Sequence, residues 1–176
     1  LLDEIERRGL DRSSAVVLTA DHGEEFFDHG GWKHGYTLYE EMLRVPLILR
    51  LPGNPGERTG RAIARPADQV DIAPTFLALA GAPVETDLPG RDLRALADDA
   101  HPDGSPVPAS FAWLERPGAE SFAVTAGGFK LIRFAGDPSK RGAGEAARLP
   151  QFGPRETPAR SLYDLARDPG ERTSQL

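Results

Sequence analysis

The run AVVLTA at residues 15–20 ends directly in Asp21-His22-Gly23. A short, apolar, β-branched run of this kind has the composition of a strand covered on both faces. Polar residues just past the C-terminal end of a parallel strand are where α/β sheets collect their ligands. This one feature therefore predicts an α/β fold and places candidate chemistry at residue 21. A second buried strand is expected at residues 45–51 (VPLILRL), with Pro46 near its start.

Helical patterns flank these strands. Leu1, Leu2 and Ile5 recur at helical spacing and Gly9 follows as a C-cap. The chain thus opens inside a helix, and a natural beginning further upstream is expected. One or two helical turns fit residues 36–43. Asp71 is placed as the N-cap of a helix through residue 80, with Pro74 in its first turn, where a missing N–H is tolerated. After about residue 96 the composition shifts. A linker, HPDGSPVP, is followed by short runs at 109–114, 121–126, 129–134 and 161–165. Gly127-Gly128 marks a hairpin between two of them, and Trp113 and Phe122 are read as core of a small antiparallel sheet. Two parts result: residues 1–96 as the end of an α/β sheet, and 97–176 as a small antiparallel subdomain with a mobile segment near 136–158.

The 176 residues match the usual length of one domain, and a net charge of −6 with 39% hydrophobic and 27% charged residues is a soluble balance. An acidic chain lacks the basic stripe a nucleic-acid binder needs. There is no cysteine, which excludes disulfides, thiolate metal sites and a cysteine nucleophile within the sequence. No apolar run approaches the roughly 18 residues of a membrane span.

The informative stretch is TADHGEEFFDHGGWKHGYTLY at residues 19–39, which holds three of the four histidines. Asp21 offers a hard anionic oxygen and His22 an imidazole nitrogen, a mixed ligand pair for one cation. Adjacent side chains diverge on a regular strand, but at a strand end the chain turns, and Gly23 supplies backbone freedom. The rival reading is a hydrogen-bonded, charged loop in which the histidines cap or pack. His29 is read as structural, bonding a loop carbonyl. Glu24 and Glu25 are read as solvated acids, with a supporting role behind the metal pair as the alternative. Trp32 and Tyr36 either line a cleft or pack the loop.

The pieces DHGEE, HG with LYEE, RVPLILRLPG, DQVDIAPTFLALAG, LPGRDL and LYDLARDPGE, in this order, resemble the sulfatase family of the alkaline-phosphatase superfamily. The resemblance implies the C-terminal part of an alkaline-phosphatase-like αβα sandwich followed by a small antiparallel sheet. It implies hydrolysis of a small-molecule or glycan sulfate ester with one divalent metal. Asp21 matches a metal-ligating aspartate, and His22 the next ligand, which is Asn in many members. His34 matches the position where the family places a Lys or His on the sulfate or phosphate oxygens, and Lys33 is the alternative if the register slips by one. The metal is Ca2+ by family. His22 opens the site to Mn2+ or Zn2+, because calcium prefers oxygen ligands.

The sequence departs from the family in one respect: nothing matches the Cys/Ser-x-Pro-x-Arg motif whose residue becomes formylglycine. That nucleophile and two further acidic ligands are expected upstream, and this stretch alone is expected to be inactive. Two other functions stand beside the sulfatase one. The first is a phosphodiester or phosphonate monoester hydrolase, or a phosphoethanolamine transferase, of the same superfamily. The second is a non-catalytic docking or oligomerisation module.

Overall fold

The structure, a computed structural model, describes residues 1–53, 60–85, 87–97, 108–136 and 158–176. His101 with its linker, and nearly all of the segment expected to be mobile, lie outside the described residues. In chain order the elements are α1 (Leu2–Arg7), β1 (Val16–Thr19), β2 (Glu25–Phe26), β3 (Trp32–Lys33), α2 (Glu40–Leu43), β4 (Leu47–Arg50), α3 (Ile72–Leu79), α4 (Leu93–Ala97), β5 (Ser110–Arg116), β6 (Ala119–Ala126), β7 (Phe129–Gly136) and β8 (Arg160–Asp164). Contacts group them into two compact units, Leu1–Thr19 with Pro46–Pro106 and Ala20–Val45 with Val107–Leu176. Residues 20–45 thus associate with the C-terminal sheet, which a composition shift near residue 96 does not foresee. No helix among the described residues is long and apolar enough to cross a membrane.

In the first unit, α1 is laced by Glu4, whose carboxylate accepts from Arg7 and Arg8 one turn on. Gly9 ends it with φ 66°. β1 and β4 form at the two apolar runs, but they pair antiparallel, Val16 opposite Arg50 and Thr19 opposite Leu47. Leu18 and Ile48 are 55% and 57% exposed among the described residues. The expectation of a parallel partnership is corrected for these two strands. An apolar run reports the composition of a covered strand, not its direction, and among the described residues each strand has one neighbour.

α3 starts where the sequence places it, after a short 3₁₀ turn at Gln69–Asp71. Asp71 is 1% exposed, yet its carboxylate does not cap α3. It accepts instead from the amides of Asp68 at 2.9 Å and Arg91 at 2.7 Å. The reason is local: Asp68 and Asp71 bond each other's backbone reciprocally around the 3₁₀ turn, which draws the carboxylate backwards. Thr75 then joins the helices. Its hydroxyl donates to the Asp71 carbonyl at 2.6 Å and accepts from the Leu93 amide at 2.9 Å. Leu93 and Leu96 bury beside it.

In the second unit, β5, β6, β7 and β8 form an antiparallel meander, each pairing with the next. Gly127 and Gly128 make its tight turn with φ 58° and 84°, the left-handed pair that a two-residue hairpin requires. Period-2 alternation sorts the side chains. Ser121, Ala123, Lys130, Phe134, Ser161 and Tyr163 face inward and are buried. Trp113 and Phe122, directly opposite each other, face outward and are 61% and 39% exposed, which corrects their reading as core. Small Ser and Ala side chains on the inner face leave room for Leu38, Tyr39 and Met42, the buried apolar residues of the 20–45 segment.

Candidate metal and anion site

After β1 the chain reaches Asp21, and there the two candidate ligands converge. His22 Nδ1 lies 2.7 Å from the carbonyl of Gly23. A carbonyl only accepts, so Nδ1 carries the proton, and in the neutral ring the lone pair is on Nε2. Nε2 lies 3.7 Å from Asp21 Oδ2. That is too long for a hydrogen bond. It is close to the spacing of two ligands on one ion: donors about 2.1 Å from a tetrahedral ion stand roughly 3.4 Å apart. A ligating imidazole characteristically gives its other N–H to a backbone carbonyl. The donor set and its support therefore fit a divalent metal. Asp21 Oδ1 also accepts from the His22 amide at 3.0 Å, which steadies the carboxylate.

His34 joins this pair. Its ring centroid lies 4.2 Å from that of His22, tilted by 32°. Its Nδ1 lies 3.1 Å from Glu24 Oε2, so the carboxylate accepts and orients the ring. Glu24 is therefore a partner of a candidate residue, not a solvated acid. Its other oxygen, Oε1, is buried without a hydrogen-bond partner. Lys33 sits on β3 opposite Glu25, exposed, with φ 70°. It is the His34 ring that lies against His22. Trp32 packs on Phe26 and Phe27 within the loop, and the Arg116 guanidinium covers the Tyr36 ring at 4.3 Å.

A second cluster has ligand-type atoms. Glu25, His29 and Glu41 bring theirs within 4.8 Å of one another. Its hydrogen bonds argue for a structural role. His29 Nδ1 lies 2.6 Å from Glu41 Oε1, and Nε2 lies 3.0 Å from the Glu171 carbonyl. Nε2 donates to the Glu171 carbonyl, and Nδ1 is already engaged by Glu41, so both ring nitrogens are held by protein partners. Tyr39 stacks on the same ring at 3.7 Å. Glu25, 1% exposed, accepts from the amides of His29 and Gly31 and closes the loop. The sequence reading of His29 as a structural residue bonding a carbonyl agrees with this geometry, whereas Glu25 is buried and not solvated.

A sequence profile described as Sulfatase matches residues 1–82. The chain is 32% identical over 143 residues to an N-acetylglucosamine-6-O-sulfatase of Bacteroides thetaiotaomicron, a match that covers 78% of this chain and 25% of the relative. The chain belongs to the sulfatase family. An arylsulfatase of Chlamydomonas reinhardtii is 28% identical over 95% of this chain and 27% of its own length. The chain thus spans about a quarter of the length of these two curated relatives. The fold is shared with the solved structure of a 2-O GAG sulfatase, at a TM-score of 0.65 and 24% identity over 93% of this chain and 32% of that one. It is accordingly α/β, from an alkaline-phosphatase-like architecture, with an antiparallel sheet at its C-terminal end.

Two features of this sulfatase chain go beyond the sequence reading. One is how closely Gly23, read there only as a source of backbone freedom, approaches α2. Its amide donates to the Met42 carbonyl at 2.8 Å, and a Cβ there would fall inside the Glu41 carbonyl oxygen. Only glycine admits that approach. Gly23→Ala is therefore expected to force the 21–23 backbone away from α2 and to weaken divalent-metal binding at least tenfold in a protein that remains folded. Manganese titration followed by electron paramagnetic resonance checks this, and wild-type affinity would contradict it.

The other is a buried charge group. Lys130 Nζ, fully buried, lies 2.9 Å from Glu40 Oε1 and 3.1 Å from Glu171 Oε1. Glu171 Oε2 accepts from the Glu40 amide at 2.5 Å. Glu171 also holds φ 52°, a left-handed backbone that costs a non-glycine residue about 1–2 kcal/mol. The signals for this group were present but weak: a lysine at an inward strand position in FKLIRF, and the acid ending LYDLARDPGE.

Burial raises the Glu171 carboxyl above its ordinary value, more than the Lys130 ammonium lowers it. A carboxyl raised in the fold adds stability that is full below its ordinary value and is lost as pH climbs through the raised one. Glu171→Gln removes that titration. Its melting temperature relative to wild type should therefore rise as pH goes from about 4 toward neutral. A difference that stays flat across that range would contradict the direction.

Proposed function

We propose that this chain supplies part of the active site of a metal-dependent hydrolase that cleaves sulfate esters, the sulfated hydroxyl of a glycan being the substrate class that the relatives' names favour. The observation that carries the reading is the convergence of Asp21 Oδ2 and His22 Nε2, with His22 Nδ1 tied to the Gly23 carbonyl. Asp21 and His22 would hold one divalent ion. When bound, that ion supplies Lewis-acid polarisation of a sulfate oxygen. The imidazole favours Mn2+ or Zn2+ over Ca2+.

The chain's own residues do the rest of what is proposed here. Glu24 fixes His34 Nδ1 as a donor and leaves Nε2 as the nitrogen for a substrate oxygen. In the protonated ring Nε2 is also a donor, and a donor there would bind the anionic ester and offset charge on the departing alcohol. Lys33 takes this role only if its side chain, now on an adjacent position of β3, swings to the same oxygens. The nucleophile, a formylglycine in sulfatases, and the remaining acidic ligands are proposed to come from outside the sequence given. Residues 1–96 would then belong to the catalytic α/β portion and 97–176 to the antiparallel portion.

The test compares turnover of an aryl sulfate with that of an aryl phosphodiester by the whole protein. Preference for the sulfate is expected. Preference for the phosphodiester would move the assignment to the phosphoryl-group branch of the superfamily. If neither ester turns over and no divalent ion binds, the chain is a non-catalytic module.

A further inference from the structure

Asp21, His22 and His34 are exposed, and exposed ligands on a loop do not hold a metal geometry unaided. What braces it lies far away in sequence. Glu171 makes two contacts, one to α2 and one to the loop. Its carboxylate accepts the amide of Glu40, the first residue of α2, at 2.5 Å. Its carbonyl accepts from His29 Nε2 at 3.0 Å, and His29 Nδ1 continues to Glu41 at 2.6 Å. Arg172, the next residue, donates to the Asp28 carbonyl. α2 in turn meets the metal pair, because the Met42 carbonyl accepts the Gly23 amide at 2.8 Å and the Glu41 carbonyl lies against Gly23. Lys130 on β7 anchors the arrangement by bonding both Glu40 and Glu171. A buried lysine between two carboxylates is an expensive arrangement for folding alone, since apolar residues of the same volume would pack there as well or better.

We propose that Glu171, held by Lys130, is a positioning residue for the metal and anion site: it fixes α2 and the His29 turn, and through the Gly23–Met42 bond it fixes Asp21, His22 and the stacked His34. This rests on the reading of Asp21 and His22 as metal ligands only in its metal arm. The histidine geometry tests it separately.

The experiment uses the whole protein with isotope-labelled histidine. The rings of His22 and His34, 4.2 Å apart, shift each other's Hε1 signals without any metal present. The first variant is Lys130→Met with Glu171→Leu. It removes both buried charges together and also the acceptor for the Glu40 amide. The second is Lys130→Met with Glu171→Gln, which keeps an acceptor there. The leucine pair should lose the mutual ring shift and bind Mn2+ at least tenfold more weakly while keeping most of the wild-type stability, and the glutamine pair should restore most of the ring shift and the binding. A folded leucine pair with wild-type histidine shifts would overturn the proposal, as would a glutamine pair no better than the leucine pair. If the leucine pair does not fold, Glu171→Asp decides. It draws the carboxylate back from Glu40 by one methylene, so reduced ring shifts support positioning and wild-type shifts overturn it. If the wild-type protein binds no Mn2+, the metal reading fails, and the histidine shifts alone judge the role of Glu171.

Discussion

Asp21→Ala is expected to slow turnover of a sulfate ester by the whole protein on the order of 10³-fold, because Lewis-acid stabilisation by a bound metal is worth several kcal/mol and each 1.36 kcal/mol is tenfold in rate. The fold should not suffer. The Asp21 side chain is 88% exposed, so its removal leaves no cavity. The melting temperature of the metal-free protein should therefore match wild type while kcat falls. Measured in saturating Mn2+ and again in Ca2+, the loss should persist in both, since no added ion restores a missing ligand. Unchanged turnover would remove Asp21 from the site. A matching fall in stability would mean that it acts through the fold.

Lys130→Met is expected to have the opposite profile, with its first effect on stability. The substitution leaves Glu171, whose side chain is fully buried, beside Glu40 with no cation between them. Breaking a buried ion pair from one side typically costs about 3–5 kcal/mol. Chemical denaturation at neutral pH should show a loss of that size, and it should shrink in acid, where Glu171 protonates readily because burial already favours its neutral form. Adding Glu171→Leu should recover most of the stability, since both charges then leave together. A single variant as stable as wild type would mean that water reaches the group and that Lys130 is not the anchor.

Much of the architecture was legible from the sequence because it is set by local chemistry. The Gly127-Gly128 hairpin follows from backbone freedom, and the helix after Asp71 from its apolar face and Pro74. The candidate site was legible on two grounds: Asp21 and His22 are adjacent ligand types, and His34 follows from the resemblance to sulfatases. The structure brings the His22 and His34 rings to 4.2 Å. The illegible parts depend on pairing across long separations. The antiparallel partnership of β1 with β4 and the outward facing of Trp113 and Phe122 are matters of register, which an apolar run does not encode. Lys130 meets Glu40 across 90 residues, and Glu171 meets it across 131. Glu25 and Asp71 show the same limit in another way. A carboxylate beside a turn reads as solvated or as a cap, and only the fold shows which amides it accepts.

The most direct test is whether His22 binds the same ion as Asp21. Pulsed electron paramagnetic resonance of the whole protein loaded with Mn2+ detects nitrogen bonded to the metal. A nitrogen coupling is expected in wild type. Its loss is expected in His22→Gln, with at least tenfold weaker binding there and in Asp21→Ala. A Mn2+ signal with the same nitrogen coupling and the same affinity in all three proteins would place the ion elsewhere and contradict the shared site.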